Sequence, residues 1–419
     1  MSQYTKVQCI SWELYTGPVT VHTHTPSRGW YTGLLSAPAL PTSMPDTRID
    51  VIGQCVDIDA RVAFTADAIA KARALADPSP EVLKVFLAPE FLYRGAGGAY
   101  LYDLMSGWDG TAPAKLGIAP KVPYYSAWPG LIRSLKALAA QHGNEDWLFV
   151  FGSAISAAFP MRKAGAKAYY LDAAQARGIS NMALIQRGGA APTATPDQVK
   201  AAKYYLQPVD FFGEYAGFIS QIGTQVKAGK PRSELRSEML GTGEGSPVFR
   251  MAGIEGSSGL TLDCGIEIGF DHAVSGKAVD GGKLPTQNFG RLRNAGQRVR
   301  LQLVPSCGMN LIPESLWLQP AAEHAGNAYA FHCDGLSNVA GLQYGSHTQV
   351  WNRTHKLLEA SDGVDQGKAV PRPALASSVS AVTGSVVVAG HTIEDRWLWS
   401  NGGTSAGAGS VRVVAPLPL

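Results

Sequence analysis

Continuous apolar runs that alternate with amphipathic helical patterns constrain the fold of this chain more than any other feature. Runs such as VLKVFLAPEF and WLFVFGSAI lack the apolar–polar alternation of a half-exposed strand. The strands they predict are therefore buried on both faces. Between these runs, apolar residues recur at intervals of three and four, as on one face of a helix. The sequence predicts an α/β architecture.

The predicted elements follow one another along most of the chain. Buried strands are predicted at 6–14, 82–91, 147–155, 181–189, 259–272 and 298–311, helices at 59–76 and 129–143, and a helix followed by a strand at 318–335. Gly, Pro, Thr and Ser dominate 16–48, which predicts a long excursion over the surface. We expect one domain over 1–358, with a linker and a β-rich C-terminal extension at 359–419 packed on it.

Composition excludes several classes of function. With 45% hydrophobic and 16% charged residues, the 419-residue chain is typical of a globular protein with a large core. A net charge of +3 without a basic run gives no support for binding to nucleic acid or to a membrane surface. No apolar run is long enough to span a membrane, and the N-terminus lacks a signal-peptide pattern. Five cysteines without a CxxC pair argue against disulfides and structural zinc, so we expect a cytoplasmic protein without metal or cofactor.

Three predicted strands end in residues that carry chemistry. Glu90 follows the apolar run in FLAPEF, and Lys203 precedes the aromatic pair in KYYLQP. A third run, GIEIGFDH, ends in Asp271 and His272. Each residue alone is typical of a solvated surface group. Open α/β sheets, however, collect ligands at the carboxyl ends of their strands, where a glutamate can act as a general base.

Together these motifs resemble the nitrilase (carbon–nitrogen hydrolase) superfamily, in order and in rough spacing, from about residue 5 to 350. The resemblance implies an αββα sandwich with long insertions, no cofactor, and assembly into a homodimer or larger oligomer. It implies that Glu90 is the general base and that Lys203 stabilises the tetrahedral intermediate formed from a small amide or nitrile. A supporting glutamate is expected at Glu244, with Glu238 as the other candidate. Tyr93, Tyr204, Asp271 and His272 are expected to line the substrate pocket.

The nucleophile is the part of the family pattern that this chain does not match. When Gly265 is aligned with the motif glycine, Asp271 matches the acidic position and Gly269 occupies the place of the cysteine. Cys264 lies five residues earlier, so on a regular strand it faces the opposite side, about 16 Å away. Cys307 and Cys333 are interpreted as core cysteines.

Three hypotheses therefore stay open at the level of sequence. In the first, a nitrilase-like protein has lost its thiol and serves as a silent binding or structural subunit. In the second, a β-bulge shifts the strand and Cys264 is the nucleophile. In the third, Glu90 activates a water molecule held in the space left by the missing side chain at Gly269.

Overall fold

The computed structural model describes most of the chain. The described residues are 3–16, 51–95, 99–158, 161–163, 169–171, 178–189, 198–203, 247–251, 253–256, 258–274, 290–323, 325–335, 347–361, 364–365, 368–369, 375–395, 398–399 and 408–419. Three predicted site residues, Tyr204, Glu238 and Glu244, lie outside these ranges, as does most of the predicted surface excursion.

Two sheets and a few helices build the domain. In chain order the main elements are β1 (Lys6–Glu13), α1 (Val51–Leu75), β2 (Val82–Leu87), α2 (Gly130–Ala139), β3 (Trp147–Ala158), β4 (Gly178–Arg187), β5 (Gln198–Ala202), β6 (Val248–Phe249), β7 (Cys264–Ile266), α3 (Phe270–Val274), α4 (Arg291–Asn294), β8 (Leu301–Ser306), β9 (Tyr329–Asp334), β10 (Thr348–Asn352), β11 (Leu357–Ala360), β12 (Ser377–Ala381) and β13 (Ser410–Val414).

Shorter pieces complete the structure. They are the helix Asp103–Ser106, the 3-10 turns Ala114–Leu116 and Pro313–Ser315, and the short strands Gln3–Tyr4, Tyr100–Leu101, Met161–Lys163, Tyr169–Leu171, Glu255–Gly256, Val364–Asp365, Lys368–Ala369, Ser385–Val388, His391–Glu394 and Leu417–Pro418.

Both sheets have the same plan, a parallel centre with antiparallel flanks. The first sheet has the order β12-β13-β1-β2-β3-β4-β5, and Tyr100–Leu101 and Leu417–Pro418 pair with β3 and β1. The second has the order β6-β7-β8-β9-β10-β11. In the first sheet β1, β2 and β3 are parallel, and in the second β7, β8 and β9 are parallel.

The two sheets pack face to face. Their inner faces share one apolar core, in which Val7 and Leu83 of the first sheet join Leu303 and Phe331 of the second. A second core lies between the first sheet and the helices α1 and α2. A third, smaller core covers the outer face of the second sheet and includes Leu292 of α4. The predicted α/β sandwich is therefore confirmed, with β strands in the two central layers.

Several element boundaries differ from the predicted ones. Helix α1 begins at Val51 rather than 59, because its first two turns are buried on several sides and lack an amphipathic pattern. The strand predicted at 259–272 is much shorter: β7 covers three residues, and α3 follows at Phe270. The helix predicted before β9 does not form in the described residues, where 320–323 make a turn that begins at a proline.

The C-terminal residues are part of the first sheet. Strand β13 pairs with β1, opposite Ile10 and Trp12, and so separates that strand from β12. Strand β11 crosses the boundary expected at 358/359. The extension therefore completes a central layer of the sandwich. No helix among the described residues is both long and apolar enough to cross a membrane.

Candidate active site

The carboxyl ends of strands from both sheets meet at one edge of the sandwich. The Glu90 amide, beyond β2, donates to the Ser306 carbonyl at the end of β8 (3.2 Å). The Gly269 amide, beyond β7, donates to the Pro305 carbonyl of the same strand (2.9 Å). The Thr16 hydroxyl, beyond β1, donates to the Glu90 carbonyl. Residues that are far apart in sequence thus share one small region.

Glu90 and Lys203 form a buried ion pair at this edge. Lys203 Nζ lies 2.9 Å from Glu90 Oε1, and each side chain is 2% exposed. Asn181 Nδ2 donates to the same oxygen at 2.8 Å. The Lys203 amide also donates to the Asn181 carbonyl (2.8 Å), which ties the three residues together. Two opposite charges removed from water in this way are stable only as a pair with good geometry.

Gly269 lies against the carboxylate of Glu90. It occupies the turn between β7 and α3, with a φ of +47° that side-chain-bearing residues rarely adopt. A Cβ atom built on Gly269 would overlap Glu90 Oε2 and would lie 3.0 Å from Cδ. The carboxylate therefore fills the volume in which a side chain at position 269 would begin. This corrects the expectation that the same space holds a water molecule.

The loop that carries Glu90 is held from several sides. Phe91 has a φ of +63°, and its amide donates to the Ser153 hydroxyl at 3.0 Å. A positive φ in a non-glycine residue costs about 1–3 kcal/mol and needs such support. Ser153 follows a bulge in β3 at Gly152, where a Cβ atom would overlap the Pro89 carbonyl. Beneath the loop, the buried Arg61 guanidinium donates to the Leu92 carbonyl at 2.6 Å.

Asp271 and His272 are buried in contacts with the protein itself. Asp271 faces Arg291, whose Nη1 lies 3.5 Å from Oδ2 and also donates to the Ala202 carbonyl (3.1 Å). His272 Nε2 accepts from the Ile312 amide (3.0 Å), so Nδ1 carries the proton that Glu267 accepts (2.6 Å). Both ring nitrogens of His272 are thus engaged. These contacts fix His272 close to the turn at Gly269, and its contact with substrate stays a prediction.

Tyr93 also differs from its predicted place in the substrate pocket. Its ring is fully buried in the core beneath the helices. Its hydroxyl shares a 2.8 Å hydrogen bond with Thr65 of α1, and burial raises the pKa of this phenol. The side chain packs the helix layer against the sheet.

Cys264 lies in the core between the sheets. It pairs with Phe249 and Leu301 at the beginning of β7. Burial, reinforced by the charge of Asp263, raises the pKa of its thiol to about 12. Such a thiol is protonated at neutral pH and is a poor nucleophile.

Cys307 lies close enough to the candidate site for the charge of Glu90 to affect the pKa of its thiol. Burial of its thiol raises the pKa well above the ordinary value, and the charges of Asp334 and Glu90 raise it further, whereas Arg94 lowers it. Its position after Ser306 at the end of β8 explains this proximity. Its thiol, too, is protonated at neutral pH.

Asn181 and Arg291 are the neighbours of the site that the sequence did not reveal. Asn181 opened a predicted buried strand, and the one available signal was a polar residue before a run of apolar ones. Arg291 lies within the insertion expected at about 272–297, so nothing in its surroundings indicated Asp271 as its partner. Among the described residues, no group of three His, Cys, Asp or Glu side chains is arranged to hold a metal ion.

Comparisons with known proteins return likenesses to solved structures at low sequence identity. No protein-family model and no curated protein sequence matches the chain. Among solved structures, it is similar to an amidase from Nesterenkonia sp. AN1 with acrylamide added at its active-site cysteine, with a TM-score of 0.32, 10% identity, and coverage of 85% of this chain and 89% of that chain.

A cysteine variant of the Nesterenkonia amidase in complex with acrylamide gives a TM-score of 0.33 and 11% identity, covering 100% of this chain and 93% of that chain.

Proposed function

We propose that this protein is a nitrilase-type carbon–nitrogen hydrolase that cleaves a small amide at the Glu90–Lys203 site. The observation that carries the proposal is the buried ion pair at the carboxyl ends of the strands, directly beside the strand-to-helix turn of Gly269. The order of the three motifs in the sequence supports the same assignment. A buried carboxylate and ammonium pair has a high desolvation cost, which a purely structural role does not require.

In this proposal a water molecule is the attacking group. Glu90 takes a proton from the water as its oxygen bonds to the carbonyl carbon, and the Lys203 ammonium stabilises the oxyanion. The C–N bond then breaks, and Glu90 returns the proton to the leaving nitrogen. The products are a carboxylic acid and ammonia or an amine. Because Glu90 Oε2 fills the volume at Gly269, the water lies on another side of the carboxylate.

A thiol mechanism has less support. Cys264 belongs to the inter-sheet core, and burial keeps its thiol protonated. A second candidate function is favoured by Gly269 itself: a nitrilase-like protein that binds a small amide and does not turn it over. We also propose that the chain forms a homodimer or larger oligomer, which light scattering would test.

Ammonia release from a panel of simple amides and nitriles tests the proposed function. We expect slow hydrolysis of at least one amide, lost in Glu90→Gln and in Lys203→Met and retained in Cys264→Ala. Saturable amide binding, measured by calorimetry, without ammonia release would instead show the binding protein. Loss of hydrolysis in Cys264→Ala alone would show that a thiol is used.

A further inference from the structure

Two described donors approach the same carboxylate oxygen of Glu90. Lys203 Nζ and Asn181 Nδ2 both approach Oε1, at 2.9 and 2.8 Å. Oε2 lies on the other side of the carboxylate, against Gly269. A carboxylate is planar, so fixing Oε1 with two donors also fixes the direction in which Oε2 points.

We propose that Asn181 is a positioning residue of the site, which fixes the orientation of the Glu90 carboxylate through Oε1 and supports its ionised form. This inference deepens the proposed function and rests on it for the catalytic role of Glu90. The ammonium group of lysine lies at the end of a flexible four-carbon side chain. The Asn181 amide lies on a short side chain on β4, so its position is fixed more closely by the backbone. Asn181 is fully buried on β4, between β3 and β5.

The backbone of Asn181 strengthens its suitability for this role. Its carbonyl accepts from the Lys203 amide at 2.8 Å, so one residue fixes both the carboxylate and the origin of the lysine side chain. A shift of β4 would therefore move both members of the ion pair together. The geometry points to Asn181 as the residue that positions both Glu90 and Lys203.

The pH dependence of the stability that Asn181 contributes distinguishes this positioning role from a role in packing alone. A neutral donor that bonds a carboxylate favours the ionised form, and the stability it contributes is present when the carboxylate is charged. That stability is lost as the pH falls and the carboxylate becomes protonated. A residue that only fills space contributes equally at every pH.

The experiment measures the denaturation midpoint of the full chain and its variants between pH 4 and 8. Asn181→Leu removes the donor and keeps most of the volume, and Asn181→Ala removes the donor without adding a titratable group. For both variants we expect a loss of stability that is largest at pH 7–8 and shrinks toward pH 4. If Asn181→Leu does not fold, Asn181→Ala carries the same test.

Ser180→Ala is the matched control. Ser180 is the preceding residue of β4, is equally buried, and shares a 2.9 Å hydrogen bond with Ser156 on β3. The stability lost in Ser180→Ala should be the same at every pH. If the stability lost in both Asn181 variants does not vary with pH, the proposal is overturned.

Catalysis gives a second readout. If the parent hydrolyses an amide, the acidic limb of its kcat/KM profile should move up by about one pH unit in Asn181→Leu, the size expected for one hydrogen bond to a charged group. An unmoved limb would contradict the positioning role. If the parent hydrolyses nothing, the proposed function fails, whereas the stability measurement still decides the role of Asn181.

Discussion

Glu90 and Glu267 are both buried carboxylates near the same turn, but their surroundings differ. Glu267 accepts from the Leu292 amide at Oε1 (2.7 Å), and from His272 Nδ1 (2.6 Å) and Gln302 Nε2 (2.8 Å) at Oε2. Glu90 accepts from an ammonium and an amide, both at Oε1. The described donors to Glu90 thus include the ammonium group of a lysine, whereas those to Glu267 are a backbone amide, a side-chain amide and an imidazole.

The difference shows how a structural carboxylate can be distinguished from a candidate catalytic one. Every described donor to Glu267 belongs to the second sheet or to the segments packed on its outer face, so Glu267 anchors α3 and α4 there. The described donors to Glu90 come from β4 and from the end of β5 in the first sheet, and its carboxylate faces the turn at Gly269. Burial alone does not separate the two, since both are almost inaccessible to solvent.

The largest expected difference is between Glu90→Gln and Glu267→Gln. Loss of the general base should lower amide hydrolysis about 10²- to 10⁴-fold in folded Glu90→Gln. Glu267→Gln places an NH₂ group against a donor and should lose about 2 kcal/mol of stability, while its folded fraction keeps most of its activity. Denaturation curves and activity per folded molecule check this. Equal loss of activity in both variants would remove the distinction.

The next effect concerns the contact between Gly269 and Glu90. Gly269→Ala should lose about 2–3 kcal/mol, from the positive φ and from overlap with the carboxylate. Glu90→Asp withdraws the carboxylate by one methylene, so in a double-mutant cycle it should recover about 1 kcal/mol of that loss. Gly296→Ala is the control, because Gly296 has a similar φ of +68° with open space around it. The interpretation would be contradicted if Glu90→Asp showed no coupling free energy with Gly269→Ala. It would also be contradicted if Glu90→Asp were coupled to Gly296→Ala.

The sequence could predict the parts of this site that depend on strand ends. Glu90 follows an apolar strand, and the carboxyl ends of such strands meet at one edge of an α/β fold. Lys203 instead follows the strand QVKAA, which was not among the predicted strands, and its place in the site was implied by the resemblance. The continuous apolar runs predicted the α/β class, whereas the sandwich of two sheets was implied by the resemblance. The α/β class and the place of Glu90 therefore use only local pattern and general topology.

The remaining features depend on contacts between distant segments. The sequence around Asn181 and around Arg291 does not predict which residues they contact. The contact of His272 with Ile312 could not be predicted for the same reason, because Ile312 lies on the segment that covers the second sheet. The overlap of Glu90 with the volume at Gly269 depends on the side-chain conformation of Glu90, which no sequence pattern contains.

Arg291 connects the surroundings of the two glutamates and gives the third effect. Its guanidinium bridges Asp271, on α3, and the Ala202 carbonyl, one residue before Lys203. Arg291→Met should therefore lose about 1–2 kcal/mol of stability. Arg293→Met is the control: it lies on the same helix, is more exposed, and contacts the Glu314 carbonyl and the ring of Trp317. A smaller loss in Arg291→Met than in Arg293→Met would show that the bridge is unimportant.

The smallest effect is expected at Cys264, the thiol that a different register would place beside Glu90. Cys264→Ala should lose about 1 kcal/mol, the usual size for trimming a small core side chain, and should leave amide hydrolysis unchanged. Cys9→Ala is a matched control, since burial also raises the pKa of that inter-sheet thiol to about 12. Both variants should therefore behave alike in denaturation and in activity.

The pH dependence of alkylation tests the same residue in the unmodified protein. Because the thiolate is the reactive form and the pKa of Cys264 is about 12, its labelling by iodoacetamide should rise with pH through the whole range from 7 to 10. At pH 8 it should be about 10³-fold slower than an unperturbed cysteine with a pKa near 9. Peptide mapping identifies the labelled site. If Cys264 reacts fastest and its loss abolishes ammonia release, the register that places Gly269 beside Glu90 is wrong, and Cys264 is the nucleophile.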